Sequence, residues 1–276
     1  MAKSFKKLGV ENCFIDNLDS WYSTPPNDYD VVIVLRGLSE YRPYASHVNI
    51  LWIISHLERV LLDEMKKYDQ IYCASKKYSN QLNSQHSLGV MTLLQATDPD
   101  LFFRKSFSKS SHTLLFVGIS RKIYRKSVKY LVDNGFDDVK VIGREWEDFI
   151  DSSYISQQNI PNSELSLEYQ SARFVFNDHW DSMMDFGFIS NRIFDVVACG
   201  GKLITDYVEG IDEIVPNNAV FAYRQLSEIS EYLSSPERWP SNEDIKEASS
   251  VVSTQHTFLA RAETLLTFIR TSARFC

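Results

Sequence analysis

At 276 residues the chain is long for one ordinary domain and comfortable for two compact ones, and a 44% hydrophobic content suffices for real cores. A net charge of −7, with Lys and Arg scattered apart from clusters at 3–7 and 121–129, excludes general attraction to nucleic acid or anionic lipid. The four cysteines form no C-x-x-C pair, the start is polar and basic, and no apolar run approaches the ~18 residues of a membrane span, so a cytoplasmic protein with reduced thiols is expected.

Short β-branched runs alternate with helix-like stretches, the pattern of parallel α/β units. The opening A-K-S-F-K-K-L-G-V reads as the end of a helix capped by Gly9, so a strand and turn that would precede it are expected to be missing from a shortened first domain. Strands are expected at 31–35, 49–54, 70–74 and 90–94, with a helix over 57–67 whose Leu57, Val60, Leu61 and Met65 share a face. T-D-P-D at 97–100 and S-F-S-K-S-S at 106–111 have linker composition, dividing a first domain, 1–104, from a second, 105–255.

The second domain begins with a strand at 113–117 ending in Gly118, then a helix at 122–134 stopped by Asn134-Gly135 as a left-handed cap. A strand at 139–142 ends in Gly143; a helix at 163–171, a strand at 173–176 and a helix at 191–199 closed by Gly200-Gly201 follow. Strands at 203–205 and 220–223 complete a Rossmann-like doubly wound sheet. The last stretch, 244–270, holds no glycine or proline and reads as one long helix, which covers the second domain or packs back over 256–276 on the first.

The densest chemical signal is N-D-H-W-D-S-M-M-D-F-G-F-I-S-N-R-I-F-D-V-V-A-C-G-G, residues 177–201: a strand, a polar loop, then a helix opening at Ser190. Ligands of open α/β sheets bind beyond the carboxyl ends of the strands, where a helix N-terminus offers free N–H groups and partial positive charge to phosphate. Ser190 is an N-cap candidate, Asn191 and Arg192 stand beside it with a guanidinium fork for phosphate oxygens, and Asp195 lies one turn on, placed to accept from ribose hydroxyls. The plain alternative is a cap and a solvated helix residue. His179 follows a strand end as a candidate base or donor contact, or as a structural histidine bonded to backbone; Trp180 is a stacking surface or simple packing.

In the first domain Arg36, Ser55, His56, Glu58 and Ser75 fall at or just after strand ends and form an acceptor-side set. His56 leads as a base, because imidazole titrates near neutrality. Tyr41 and Tyr44 are candidate stacking surface or ordinary loop aromatics. With no D-x-D triad at a strand end and no His/Cys cluster, no metal is expected; arginine, lysine and helix dipoles can neutralise a leaving diphosphate.

The stretch G-F-I-S-N-R-I-F-D-V-V-A-C-G-G-K-L-I-T-D resembles the donor-binding segment of bacterial group-1-like, spore-maturation-protein-like glycosyltransferases of the GT-B type. V-V-I-V-L-R-G-L at 31–38, N-I-L-W-I-I-S-H-L-E at 49–58, L-L-Q-A-T-D-P-D-L-F at 93–102 and L-L-F-V-G-I-S-R at 114–121 resemble the same group. The resemblance implies an α/β, GT-B fold of two Rossmann-like doubly wound domains facing a cleft, the N-terminal one shortened. It implies a nucleotide-sugar co-substrate without further cofactor, a carbohydrate acceptor, and a place in bacterial surface polysaccharide synthesis. It places the diphosphate at Gly118, Ser120, Arg121 and Arg125 and the ribose on Asp195. Many retaining relatives carry two acidic residues eight positions apart; here the position eight before Asp195 is Gly187, so retention is not implied. Two rivals stay open: a noncatalytic nucleotide-sugar-binding domain of a larger assembly, and a sugar-nucleotide epimerase.

Overall fold

The computed structural model describes residues 1–16, 21, 29–105, 111–216 and 219–272; the expected linker stretch at 106–110 lies outside them. In chain order the elements are α1 Ala2–Lys7, β1 Val31–Arg36, β2 Val48–Ile53, α2 Leu62–Met65, β3 Gln70–Cys73, α3 Lys76–His86 and β4 Met91–Thr92. Next come β5 Leu114–Val117, α4 Lys126–Asp133, β6 Val139–Ile142, β7 Ile155–Gln157, α5 Asn162–Ser171, β8 Phe174–Asn177 and α6 Asp181–Asp185. The chain ends through α7 Asn191–Ala198, β9 Leu203–Asp206, α8 Ile211–Ile214, β10 Val220–Tyr223, α9 Ser227–Leu233, α10 Asn242–Gln255 and α11 Phe258–Thr271. These elements form two compact units: unit 1 holds Met1–Ala96, Trp180–Ile189 and His256–Cys276, and unit 2 holds Thr97–His179 and Ser190–Gln255. The boundary expected at 104/105 thus falls at Ala96/Thr97, and residues 180–189 pack in unit 1 rather than in the second domain.

Unit 1 is a parallel sheet in the order β1-β2-β3-β4. It winds in one direction only, which is half of a doubly wound sheet. Every residue of β2 is buried because both faces of the sheet are covered. Leu51 and Ile53 point into a cluster with Met65, Cys73 and Leu82, completed by Met183 and Phe188. Ile50 and Trp52, one residue out of phase, point into a second cluster with Phe5, Tyr72, Ala262 and Leu265. The Trp52 indole N–H donates to the Leu93 carbonyl at 2.7 Å.

The helix expected over 57–67 is interrupted. His56 adopts a left-handed conformation (φ 51°), Leu57–Arg59 make a single 3-10 turn, and Leu61 is extended before the short α2. The Arg36 guanidinium bridges the break, donating to the Arg59 carbonyl at 2.7 Å and to the Glu64 carboxylate at 2.6 Å.

Unit 2 is a six-stranded parallel sheet in the order β10-β9-β8-β5-β6-β7, which is the Rossmann arrangement with its reversal between β5 and β8. On one face Phe116, Val141, Phe174, Phe176 and Ile204 pack with Val128 and Leu131 of α4, Ile229 and Tyr232 of α9, and Trp146. α7 is buried from Ile193 to Ala198 and packs against α5, α10, β8 and β9. The ends of β5 and β6 approach so closely that a Cβ on Gly143 would lie 2.0 Å from the Gly118 carbonyl oxygen.

The helix expected at 244–270 is two helices in different units, α10 and α11, although neither glycine nor proline separates them. Thr257 is extended (φ −104°, ψ 156°), and its hydroxyl caps α11 by accepting from the Ala260 N–H at 3.1 Å. In the first turn of α11, Arg261 donates to the carbonyls of Leu94 and Gln95 at 2.8 and 3.0 Å.

Candidate functional site

The sheet of unit 2 reverses where β5 ends at Val117-Gly118 and β8 ends at Asn177-Asp178-His179, and three arginines gather there. Arg192, in the first turn of α7, donates from Nη1 to Asn177 Oδ1 at 3.1 Å, and its buried Nε has no hydrogen-bond partner. A Cβ on Gly118 would sit 3.2 Å from Arg192 Nη2, so the glycine makes room for this guanidinium. Arg125, preceding α4, ion-pairs with the Asp178 carboxylate and also donates to the Asp178 carbonyl at 2.8 Å. Asp178 accepts from the Ser127 hydroxyl at 3.0 Å as well. Both guanidiniums lie against the Phe116 ring, 5.5 Å from its centroid for Arg125 and 5.8 Å for Arg192.

Arg121 completes the group from an exposed left-handed turn (φ 63°). Desolvation, then the charges of Arg125 and Arg192, lower its pKa, and the opposing pull of Asp178 does not restore it. Cations that repel one another in a partly desolvated place are stabilised by an anion that several of them share.

Beside this group runs a buried polar chain set by the pairing of β8 with β9, in which Asn177 lies opposite Thr205. The Asn177 amide donates to the Thr205 hydroxyl at 2.9 Å, and that hydroxyl donates to Asp206 at 3.1 Å. Asp206 takes the His179 backbone N–H at 2.9 Å and stands 2.6 Å from His179 Nδ1. His179 Nε2 accepts the Ser190 backbone N–H at 3.0 Å, which fixes the ring proton on Nδ1. Burial pushes the Asp206 carboxyl up, but the hydrogen bonds from His179 outweigh it and hold it below its ordinary value.

Several expected site residues are therefore structural. The His179 side chain is 0% exposed with both ring nitrogens engaged, so it is no free base. Ser190 sits at the N-cap position of α7 but makes no side-chain capping bond, its N–H being taken by His179. Asp195, expected to receive ribose hydroxyls, is turned inward and 7% exposed, accepting from the Thr97 hydroxyl and the Asn191 amide, each at 2.7 Å. Burial raises its pKa to about 7 against the hydrogen bond from Thr97 and the charge of Arg192. Asn191 is thereby occupied too. Ser120, expected against the diphosphate, is fully buried, donating to the Glu145 carbonyl and accepting from the Lys122 N–H.

In unit 1 the acceptor-side set separates. Arg36 is 2% exposed and bonded to Glu64, Gly37 and Arg59, which leaves it no acceptor-side role. Ser75 is fully buried as the N-cap of α3, accepting from the Tyr78 N–H and donating to the Phe186 carbonyl. Tyr41 is core, and Trp180 packs against that same core. Tyr44 is half-buried and packs edge-on against His47. Ser55 and His56 stay partly exposed, and His56 Nδ1 lies 3.2 Å from the exposed Glu58 carboxylate.

Sequence reasoning passed over Asn177, Asp178, Thr205 and Asp206. Their signal was positional: each lies in or just after the last two residues of a strand at or beside the reversal. Among the described residues no group of three or more His, Cys, Asp and Glu could hold a metal ion, and no helix is long and apolar enough to cross a membrane.

Solved structures share this fold at low sequence identity. A glycosyltransferase from Rickettsia africae ESF-5 superimposes with a TM-score of 0.60 at 11% identity, over 88% of this chain and 77% of that one. Sucrose-phosphate synthase from Thermosynechococcus elongatus gives 0.56 at 13% identity, over 81% of this chain and 67% of that one. Anabaena HepE, solved in complex with UDP and glucose, gives 0.56 at 10% identity, over 82% and 72%. The fold is of the GT-B type, with two Rossmann-like α/β domains. No curated protein matches the sequence. A family model described as glycosyl transferase-like matches residues 121–267, more than half of the chain, and spans Arg121, Arg125 and Arg192 together with β8, α7 and β9. The chain belongs to the glycosyl transferase-like family.

Proposed function

We propose that this protein moves a sugar from a nucleotide-sugar donor to a hydroxyl of a carbohydrate acceptor, with the donor diphosphate held in unit 2 by Arg121 and Arg192 while Arg125, committed to Asp178, adds positive charge behind them. The observation that carries the reading is the pair of guanidiniums, Arg125 and Arg192, laid against Phe116 at the sheet reversal, where open α/β sheets bind their ligands. Arg121, in the turn after β5, is depressed first by desolvation and then by the charges of Arg125 and Arg192.

In the reaction the acceptor oxygen attacks the anomeric carbon, the bond from that carbon to the diphosphate breaks, and the nucleoside diphosphate leaves with the electron pair. Guanidiniums aimed at the leaving group stabilise this charge without a divalent ion. His56 takes the acceptor proton, with Glu58 orienting its ring through Nδ1. Uridine diphosphate sugars are the first donors to try, because HepE was solved with UDP and glucose. The spore-maturation-protein-like group and bacterial surface polysaccharide synthesis are the context this reading favours.

The test is calorimetric titration of UDP and UDP-glucose into the folded protein and its Arg121→Met and Arg192→Met variants. Each substitution is expected to weaken UDP binding by about tenfold, the loss of a charge-assisted contact. UDP affinity unchanged in both variants refutes the site.

A further inference from the structure

We propose that His179 is a positioning residue: its neutral imidazole pins the N-cap amide of α7 to the end of β9 and so sets Arg192 for the diphosphate. The inference rests on the diphosphate reading given above. Between His179 and Ser190 the chain leaves unit 2 for ten residues, 180–189, that pack in unit 1. Chain connectivity therefore does not hold the start of α7 beside β8. The Ser190 hydroxyl does not cap the helix, so its first turn is anchored by other means.

The His179 ring supplies that anchor. Nδ1–H donates to Asp206 at 2.6 Å, and Nε2 accepts from the Ser190 N–H at 3.0 Å. Asp206 is itself fixed by the His179 backbone N–H and the Thr205 hydroxyl. Asn177, which ties into the chain through Thr205, also receives Arg192 Nη1. Arg192 is thus held at its tip by Asn177 and at its root by a pin two residues away. With the pin cut, the first turn of α7 is released and the guanidinium loses its fixed direction toward the anion.

The experiment measures binding of inorganic pyrophosphate by calorimetry in the full chain, alongside thermal melting. Asn at position 179 retains a donor for Asp206 but stops short of Ser190, and His179→Asn is expected to weaken pyrophosphate about tenfold. Ser190→Pro deletes the N–H from the other side and, with its Cδ where the hydrogen pointed, also displaces the imidazole; the native φ of −61° is one proline adopts, and the same loss is expected. The double variant should bind no worse than either single one, since both cut one bond. His179→Gln, whose amide reaches the place of Nε2, should recover affinity over His179→Asn, which a purely structural role would not produce.

Wild-type affinity in both His179→Asn and Ser190→Pro, multiplied losses in the double variant, or a His179→Gln no better than His179→Asn overturns the pin. If His179→Asn does not fold, His179→Gln decides beside Ser190→Pro: binding lost with proline and kept with glutamine supports the pin, and equal losses overturn it. Arg192→Met separates this from the parent reading. Undiminished pyrophosphate binding in that variant removes the diphosphate site, whereas loss there with binding intact in the two pin variants removes only the role of His179.

Discussion

Replacing Asp195 by Asn tests the electrostatics of the α7 core. Burial raises this carboxyl from 3.8 to about 7, and hydrogen bonds from Thr97 and Asn191 only partly offset the cost of charging it. A group whose folded pKa exceeds its unfolded value binds its proton more tightly when folded. Its contribution to stability is complete below pH 3.8 and is lost as pH rises through about 7. Between pH 5 and pH 8 the wild type should therefore lose about 2–3 kcal/mol that Asp195→Asn does not lose. Asn keeps the size and the bond from Thr97, and the Asn191 amide can turn over to meet it. Melting both proteins across that range should show the wild-type midpoint falling roughly 5–10 °C further than that of the variant. Parallel pH profiles would mean that Asp195 is ionised in the fold throughout, and the argument from its burial would fail.

Two further outcomes are expected. Gly143→Ala places a methyl 2.0 Å from the Gly118 carbonyl and should destabilise by about 2–4 kcal/mol, whereas Gly135→Ala, strained at φ +71° but with open space around it, should cost about 1 kcal/mol in urea melts. Equal losses in the two would contradict the close approach of β5 and β6. His56→Ala should lower turnover by about a hundredfold while UDP affinity holds; full turnover would remove it as the base.

Much of the fold was legible because parallel strands covered on both faces are short apolar runs, and β6 and β10 were delimited from sequence to the residue. α3 was not, since K-K-Y-S-N-Q-L-N-S-Q-H offers only Tyr78 and Leu82 as an apolar face, and its start rests on the Ser75 cap. The break at Thr257 escaped notice because a threonine in mid-sequence signals nothing until its hydroxyl is seen to start a new helix. At the site, Arg192 was singled out by its place at a helix start, whereas Arg121 and Arg125 were singled out through the family resemblance. The inward turn of Asp195 depends on Thr97, ninety-eight residues away, and the occupation of His179 depends on Asp206 across a strand pair. Side chains that face the chemistry and side chains that support it share the same residue types and the same loops, and only long-range partners tell them apart.

The composition of unit 1 has a consequence for biogenesis. Its two apolar clusters are closed by Met183 and Phe188 on one side and by Ala262 and Leu265 on the other, residues translated long after β4. A nascent chain that has reached only Ala96 holds one face of this sheet without Met183 and Phe188 and the other without Ala262 and Leu265, so this unit completes its cores only after unit 2 has been synthesised. Expressed as a fragment, residues 1–96 should aggregate, and nascent chains should need holdase protection until α11 emerges from the exit tunnel.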